Sequence, residues 1–263
     1  MKQLVSPFQA AFIPRRKGLD NMIIAQEILH SMEKKKGRSR VMVLKIDLEK
    51  AFDRLEWSFI KEILIHFNFP SDLIAIIMDC ISSSTVSILF NGGKLDSFSM
   101  SRGIRQGDPI SPYIFILCLE YLGLLIHEKT SLKIWKPIKA SRSGPAFSHL
   151  FFADDLILFG QASLPIAEAI EEVVIRFSHL SGQKVNNEKS RILFSKKKPL
   201  RQLGIVFATL LASWRLGSLI NTWAFLSNFL VGVARILISL FKISKATWLV
   251  GKLISYLLLE GAF

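Results

Sequence analysis

The sequence predicts an α+β fold in which helices pack on one face of an antiparallel sheet. One observation is the order of segments, because short apolar runs of strand length are mixed with longer segments of helical periodicity. The second is an Asp-Asp pair between two apolar runs, which is typical of a tight hairpin. A length of 263 residues allows one large domain or two small ones, and 50% apolar residues supply a sizeable core.

The first half of the chain is predicted to begin with a helix followed by a strand. Apolar residues spaced along residues 20–35 indicate the helix, with Asp20 as its N-cap. The apolar run Val41–Asp47 has the length of a strand. Further predicted elements in this half are helices over residues 55–67 and 71–81 and a hairpin that turns at Asn91-Gly92-Gly93.

The second half is predicted to contain the longest helix and the acidic hairpin. Pro112 suits the first turn of a helix, which the apolar run from Tyr113 to Ile126 continues. The acidic hairpin covers His149–Phe159, with its two strands on either side of the Asp-Asp pair. A helix from about Pro165 to Ser178 then ends near Gly182.

The acidic residues Asp154 and Asp155 form the tip of the predicted hairpin. Two adjacent carboxylates between apolar strands are costly to bury unless a cation neutralises them. Mg²⁺ and Mn²⁺ prefer such hard oxygen ligands, so the pair predicts a metal site. A solvated turn is the alternative, because Asp also favours turns for local reasons. Asp47 leaves its strand where it is placed to reach the same metal.

A rigid loop lies between these acidic segments in the sequence. Residues 102–115 contain two glycines and two prolines around Gln106 and Asp108. Glycine permits close approach of the backbone to a ligand, so Gln106-Gly107 is predicted to contact a substrate.

At these residues the chain resembles the reverse transcriptase domain of non-LTR (LINE-type) retrotransposons, of the kind abundant in plant genomes. The resemblance runs in order through several blocks and covers about three quarters of the chain. The blocks are Ala11–Arg16, Asp20–Ile28, Asp47–Asp53, Gly103–Pro112, Phe152–Asp155 and Ser181–Ser190. The resemblance implies a right-hand arrangement of fingers and palm, and an RNA-directed DNA polymerase that joins a dNTP to a primer 3′-hydroxyl.

The resemblance also implies roles for individual residues. Asp47, Asp154 and Asp155 match the catalytic carboxylates, which would hold two Mg²⁺ ions, with Mn²⁺ as a substitute. Phe52 matches the aromatic residue on which the deoxyribose rests and which excludes a 2′-hydroxyl; the ordinary alternative is a core Phe. The other matches are Gln106 and Gly107 beside the incoming nucleotide, Lys189 as a proton donor to pyrophosphate, and Arg16 as a fingers cation on the triphosphate.

Some residues near these motifs are expected to lie outside the chemistry or depart from the family. Asp53 is interpreted as structural or capping, and Glu49 and Glu56 as exposed charges on a helix face. Lys189 lies in an Asn-Asn-Glu-Lys loop, where a solvated lysine is the usual alternative. Arg15 stands where the family usually has a Gly before the fingers Arg, which makes the geometry of that loop unusual.

The composition indicates the kinds of partner. The net charge of +13 favours a polyanion, although excess Lys and Arg also serves solubility. The expected partners are an RNA template, a DNA primer or target, and dNTPs; no membrane is expected, and the family implies action in the nucleus. Cys80 and Cys118, both in apolar segments, are predicted to be reduced core residues, which argues against a secreted disulfide scaffold.

The character of the sequence changes near residue 204. Residues 1–203 are predicted to form the fingers and palm, whereas residues 204–263 are an apolar tail in which the family's thumb cannot be matched. We expect this tail to be degenerate or read out of frame, and the chain to be a fragment of a decayed element. The run Leu216–Ala234 has no charged residue, but Asn221 and Asn228 argue against a membrane span.

Three functions remain open from the sequence. The first is an active reverse transcriptase, favoured by the intact Asp47, Gln106, Asp154 and Asp155. The second is an inactive remnant that only binds nucleic acid non-specifically, favoured by the unmatched thumb, since positioning is much of this catalysis. The third is a maturase-type enzyme of a mobile intron, which the Arg-Gln-Gly-Asp-Pro and Phe-Ala-Asp-Asp motifs fit less well than the LINE type.

Overall fold

The computed structural model describes residues 4–34, 40–141 and 143–195 and the backbone of residues 215–217. The predicted division at residues 203 and 204 and nearly all of the apolar tail lie outside the described residues. The helices are α1 (Gly18–Lys34), α2 (Trp57–His66), α3 (Ser71–Ser82), α4 (Ser111–Ser131) and α5 (Leu164–Ser181). The strands are β1 (Val41–Ile46), β2 (Thr85–Val86), β3 (Leu89–Phe90), β4 (Gly93–Lys94), β5 (Phe98–Ser99), β6 (Ile138–Lys139), β7 (Ala146–Phe147), β8 (His149–Phe152), β9 (Asp155–Gln161), β10 (Arg191–Phe194) and β11 (Arg215–Gly217).

Five strands form the main sheet, in the order β11-β10-β1-β9-β8. The strand β1 is antiparallel to both β9 and β10, and β8 is antiparallel to β9, whereas β11 joins β10 in parallel. The prediction of an α+β fold with an antiparallel sheet is therefore confirmed. All six residues of β1 are buried. Because alternate side chains of a strand point to opposite faces, the chain covers both faces of the sheet and not the single face predicted.

The long helix α4 is the centre of the core. It packs against α2 and α5, and most of its residues from Ile114 to Ile126 are buried. Pro112 lies in the first turn, as predicted. Among the described residues, α4 alone has the length and composition of a membrane span, but 67% of that stretch is buried inside the fold. This burial is typical of a core helix.

The predicted elements are close to the observed ones, with one correction at a helix start. The helix α1 begins at Gly18, so Asp20 lies in its first turn and is not the N-cap. A carboxylate in the first turn still interacts favourably with the partial positive charge of the helix N-terminus. The helix α5 ends as predicted at Gly182, whose φ of 75° is left-handed.

The hairpin between α3 and α4 is present as two short ladders, β3 with β4 near the turn and β2 with β5 farther from it. Asn91 and Gly92 have φ values of 48° and 82°, which a type I′ turn requires at both central residues.

The two cysteines have different surroundings. Cys118 is buried in α4, and Cys80 is exposed on α3. The prediction that both are core residues is wrong for Cys80, because Ile74, Ile77 and Ile81 form the buried side of α3 and Cys80 lies off that side. Both cysteines are free, so the prediction of reduced thiols agrees with the structure.

Candidate active site

The acidic hairpin has a two-residue turn, Ala153-Asp154, between β8 and β9. Phe152 pairs with Asp155 across the base of the turn, and Ala153 adopts a left-handed φ of 53°. Asp154 is exposed at the tip, whereas Asp155 is buried at the start of β9 with 9% exposure. The adjacent acids therefore stand in different environments.

The central strand β1 brings Asp47 to the same edge of the sheet. Ile46 pairs with Leu156, and one further step along the antiparallel register sets Asp47 opposite Asp155. The backbone of Asp47 is held by two hydrogen bonds: its N–H donates to Ser190 Oγ at 3.1 Å, and its carbonyl accepts from the Asn186 N–H at 2.8 Å. The segment after Gly182 thus fixes the end of β1.

Lys45 is a site residue that the sequence analysis missed. It is only 6% exposed, and its Nζ lies 3.3 Å from Asp155 Oδ1. Residues two apart on a strand share a face, so Lys45 lies on the same face as Asp47. A lysine within the otherwise apolar run of β1, two residues before the acid, is the sequence signal from which this position could have been found.

Burial dominates the electrostatics of the three carboxyl groups. It raises the pKa of Asp155 to about 6, against the attraction of Lys45 and with additional repulsion from Asp154 and Asp47. Burial also raises the pKa of Asp47, while the positive charges of Lys189 and Lys45 lower it again. Asp154 reaches solvent at its tip, but the protein around it still removes enough water to raise its pKa, and repulsion from Asp47 acts in the same direction. The positive charges of Lys45 and Lys189 thus offset only part of the unfavourable ionisation of the three acids.

The donor chemistry of this cluster fits a divalent metal. It offers carboxylate oxygens, the ligands that Mg²⁺ prefers, and a bound cation would relieve the unfavourable ionisation of three neighbouring acids. Within the described residues, no three His, Cys, Asp or Glu side chains are close enough together to hold an ion. The fit is therefore one of donor chemistry and of strand register, which brings the three carboxyl groups to one end of the sheet.

Phe52 packs partly against the hydrophobic core. Its ring stacks on Phe115 of α4, with centroids 4.7 Å apart and an interplanar angle of 16°, and it is half-buried. The Ile104 N–H donates to the Phe52 carbonyl at 2.9 Å, and the Gly103 N–H donates to the Leu55 carbonyl at 2.7 Å. These bonds join the segment after β1 to the loop that contains Gly103 and Gly107, the glycine-rich loop.

Gly103 is required where these two segments meet. Its φ is 86°, and a Cβ at this position would lie 2.6 Å from the Asp53 carbonyl oxygen. Farther along the loop, Gln106 and Gly107 are exposed in a turn, and Gly107 has a φ of 109° with open space around it. The structure thus leaves room beside Gln106-Gly107, and their contact with a nucleotide remains a prediction.

Arg16 is held by the N-terminal segment. Its guanidinium donates to the carbonyl of Gln9 at 2.7 Å, to that of Val5 at 2.8 Å, and to that of Ser6. Three of its five N–H donors are thereby used within the protein. The preceding Arg15 has a φ of 69°, which explains why a glycine suits this position in the family.

The remaining charged residues near the motifs are placed as follows. Lys189 is exposed, and its charge acts on Asp47. Glu49 forms an ion pair with Lys184 at 3.1 Å, and Glu56 forms one with Arg102 at 3.2 Å. The prediction that both Glu residues lie on a helix face is wrong, because α2 begins only at Trp57.

An antiparallel sheet that brings three aspartates to one end is typical of the palm of template-directed nucleic-acid polymerases. The structure places this chain in that class of fold. The chain belongs to the reverse transcriptase (RNA-dependent DNA polymerase) family, which matches residues 1–207.

Relatives confirm the resemblance to reverse transcriptases of non-LTR retrotransposons. The retrovirus-related Pol polyprotein from the type-2 retrotransposable element R2DM of Drosophila melanogaster is 25% identical over 202 residues, which are 77% of this chain and 18% of that protein. The transposon TX1 uncharacterized protein of Xenopus laevis is 27% identical over 194 residues, 72% of this chain and 14% of that protein. An uncharacterized mitochondrial protein of Arabidopsis thaliana is 35% identical over 112 residues, 42% of this chain and 90% of that protein. The chain thus spans less than a fifth of the first two relatives.

Solved structures of telomerases share the fold. Telomerase from Candida tropicalis in complex with a TWJ fragment of telomeric RNA aligns with a TM-score of 0.51 and 14% identity, over 73% of this chain and 31% of that one. The apo enzyme truncated from its C-terminal domain aligns with a TM-score of 0.50 and 16% identity, over 73% of this chain and 37% of that one. At such identities the likeness concerns the fold alone, and it agrees with a fingers and palm arrangement.

Proposed function

We propose that this chain provides the fingers and palm of an RNA-directed DNA polymerase of a non-LTR retroelement. The reaction is nucleotidyl transfer from a dNTP to the 3′-hydroxyl of a primer paired with an RNA template. The observation that carries the proposal is the strand register that sets Asp47 beside the Asp154-Asp155 hairpin. Residues 1–203 would supply this unit, with residues 204–263 in the place of a degenerate thumb.

Asp47, Asp154 and Asp155 would hold the two Mg²⁺ ions of such a site. When bound, these ions favour ionisation of the primer hydroxyl and stabilise the negative charge that develops on phosphate and leaving group. Before that, Lys45 partly neutralises Asp155 at 3.3 Å. This keeps three neighbouring acids compatible with a folded site.

The nucleotide would lie between β1 and the glycine-rich loop. Phe52 is held in place by its stacking on Phe115, so its exposed edge is a rigid wall that would exclude a 2′-hydroxyl. Gln106 and Gly107 would contact the nucleotide from the open side of the loop. Lys189 would donate a proton to pyrophosphate, and Arg16 would approach the triphosphate with the two N–H donors it has left.

The macromolecular partners would be an RNA template and a DNA primer or target. The net charge of +13 supports binding to their phosphates. Action in the nucleus is what the family suggests for the parent element, and nothing in the proposal requires a membrane.

Primer extension on a poly(rA)/oligo(dT) template with Mg²⁺ or Mn²⁺ tests the proposal. The control is the double variant Asp154→Asn/Asp155→Asn, which keeps side-chain shape and removes the charges. We expect metal-dependent extension by the native chain and none by the control. Circular dichroism of both proteins would establish that they are folded. A folded native chain that binds primer–template but never extends it would contradict the proposal and favour an inactive remnant.

A further inference from the structure

The segment before α1 lies along the edge of the acidic hairpin. The Phe151 N–H donates to the Phe8 carbonyl at 2.8 Å, and the Ala10 N–H donates to the Phe151 carbonyl at 3.1 Å. Gln9 thereby forms a parallel bridge with Phe151. The strand β8 is thus held by β9 on one side and by residues 8–10 on the other.

The side chain of Gln9 reaches from this edge to the Ala153-Asp154 turn of the acidic hairpin. It is 1% exposed, and its Oε1 accepts hydrogen bonds from the Ala11 N–H at 2.9 Å and from the Ala153 N–H at 3.3 Å. Ala153 immediately precedes Asp154-Asp155 and has the left-handed φ of 53°. A residue with a Cβ adopts that conformation only when its surroundings hold it there. Gln9 is one of the groups that hold it.

Asn21 of α1 also binds both the N-terminal segment and β8. It is 4% exposed, and its Nδ2 donates to the carbonyls of both Phe8 and Phe151 at 3.0 Å. The start of α1 packs so closely here that a Cβ on Gly18 would lie 2.3 Å from the Phe152 ring. The side-chain amide of Asn21 therefore joins the N-terminal segment to β8, and the side-chain amide of Gln9 joins the N-terminal segment to the turn.

The amide of Gln9 is not optimised for stability. Its Nε2 is buried and has no hydrogen-bond partner in the part of the chain that the structure describes. An unpaired buried donor is unfavourable. An apolar side chain of the same length would avoid it, but would lose the acceptor that Ala153 uses. Such local departures from stability are expected where geometry serves a function.

We infer that Gln9 and Asn21 are positioning residues that fix the turn carrying Asp154 and Asp155 in the conformation that binds metal. The inference rests on the proposed function in that the two aspartates are taken as metal ligands. Groups that orient metal ligands in this way typically change metal affinity or activity by 10–100-fold when removed. The N-terminal segment would then act on catalysis through the hairpin without touching the substrate.

The test compares Gln9→Met with Trp135→Phe in the full chain. Gln9→Met keeps length and removes the acceptor. Trp135→Phe removes a buried hydrogen bond of similar kind, from Trp135 Nε1 to the Phe159 carbonyl at 2.8 Å, at the other end of β9. The readouts are amide hydrogen exchange at Ala153, calorimetric titration with Mn²⁺, and thermal unfolding. Gln9→Glu, which keeps an acceptor oxygen, is the rescue variant for the exchange measurement.

We expect the Ala153 amide to exchange at least about tenfold faster in Gln9→Met, and Mn²⁺ affinity to fall by about 10–100-fold. Gln9→Glu should restore slow exchange at Ala153, and Trp135→Phe should lower thermal stability without changing either readout. Unchanged exchange at Ala153 in Gln9→Met would overturn the inference, and so would unchanged Mn²⁺ affinity. If the native chain itself binds no Mn²⁺, the proposed function fails, while the exchange comparison still decides whether Gln9 holds the turn.

Discussion

Lys45 is a positive charge placed among three aspartates. Both members of its ion pair with Asp155 are largely buried, with side-chain exposures of 8% and 12%. Removing one partner of such a pair leaves the other as an uncompensated buried charge, which is strongly destabilising. We therefore expect the ion pair to matter most in the absence of the proposed metal ions.

For Lys45→Met, we expect the free energy of unfolding in EDTA to fall by about 3 kcal/mol. Mg²⁺ should recover much of this loss, because it would neutralise Asp155 in place of the lysine. Urea denaturation with and without Mg²⁺ measures both effects. An equal loss in the two conditions would show that Lys45 supports the fold and not the charge balance of the site.

The raised pKa of Asp155 predicts an unusual dependence of stability on pH. The pKa rises from 3.8 to about 6 in the folded protein, so the folded state binds the proton more tightly than the unfolded state. Stability should therefore fall as pH rises from about 4 to about 6 and then level off, by roughly 1–3 kcal/mol from this group.

The difference between the native chain and Asp155→Asn isolates this contribution. Melting temperatures of both proteins are measured in EDTA across that pH range. As pH rises from about 4 to about 6, the melting temperature of the native chain should fall relative to that of Asp155→Asn, because only the native chain must ionise the buried carboxyl group. The same slope for both proteins throughout would contradict the assignment to Asp155.

Arg15 offers a test of backbone strain in the segment before α1. A left-handed φ of 69° is unfavourable for a residue with a Cβ. Arg15→Gly should raise the free energy of unfolding by about 0.5 kcal/mol, because relief of strain exceeds the extra freedom of glycine in the unfolded chain. Arg15→Ala keeps the Cβ and removes the charge, so it should give no gain in chemical denaturation. A gain for alanine equal to that for glycine would point to charge and not to strain.

At the scale of elements, the segment that contains Phe52 and Asp53 meets the glycine-rich loop where the backbone of Gly103 lies close to the Asp53 carbonyl. A methyl group on Gly103 would lie 2.6 Å from the Asp53 carbonyl oxygen. Gly103→Ala should lower the free energy of unfolding by about 3 kcal/mol, since it combines a strained φ with a collision against backbone.

Gly107→Ala is the matched control for this change. It has a similarly positive φ but open space around it, so a loss of only about 1–2 kcal/mol is expected in the same denaturation experiment. Equal losses for both variants would show that φ alone decides the effect and that the two segments are not held together at Gly103.

The elements themselves were largely predictable, because their sequences repeat with the period of helices or strands. Pro112, the Asn91-Gly92 turn and the end at Gly182 are local signals that the structure confirms. The partner of a charged side chain is not local. Neither the ion pair of Lys45 with Asp155 nor the hydrogen bonds of Arg16 to three carbonyls follow from spacing along the chain, since both depend on which strands and loops become neighbours.

At the scale of the whole molecule, we expect the excess positive charge to govern the proposed binding to nucleic acid. The net charge is +13, and released counterions make such binding weaken as salt rises, with a slope of about 0.7–0.9 per phosphate contact. We expect the dissociation constant for primer–template to rise steeply with salt in fluorescence anisotropy. Asp154→Asn/Asp155→Asn should bind at least as tightly as the native chain without divalent ions. Binding insensitive to salt would contradict an electrostatic interface.

The central position of β1 has a consequence for biosynthesis. Its partners β9 and β10 follow it roughly a hundred residues or more later in the chain. While the ribosome is still making those residues, neither neighbouring strand exists, and the run Val-Met-Val-Leu-Lys-Ile of β1 is left without a partner. An apolar strand in that situation is prone to aggregate. Lys45, which later pairs with Asp155, is the one charged residue within this run. A charge inside an apolar strand opposes its aggregation before the partner strands are made.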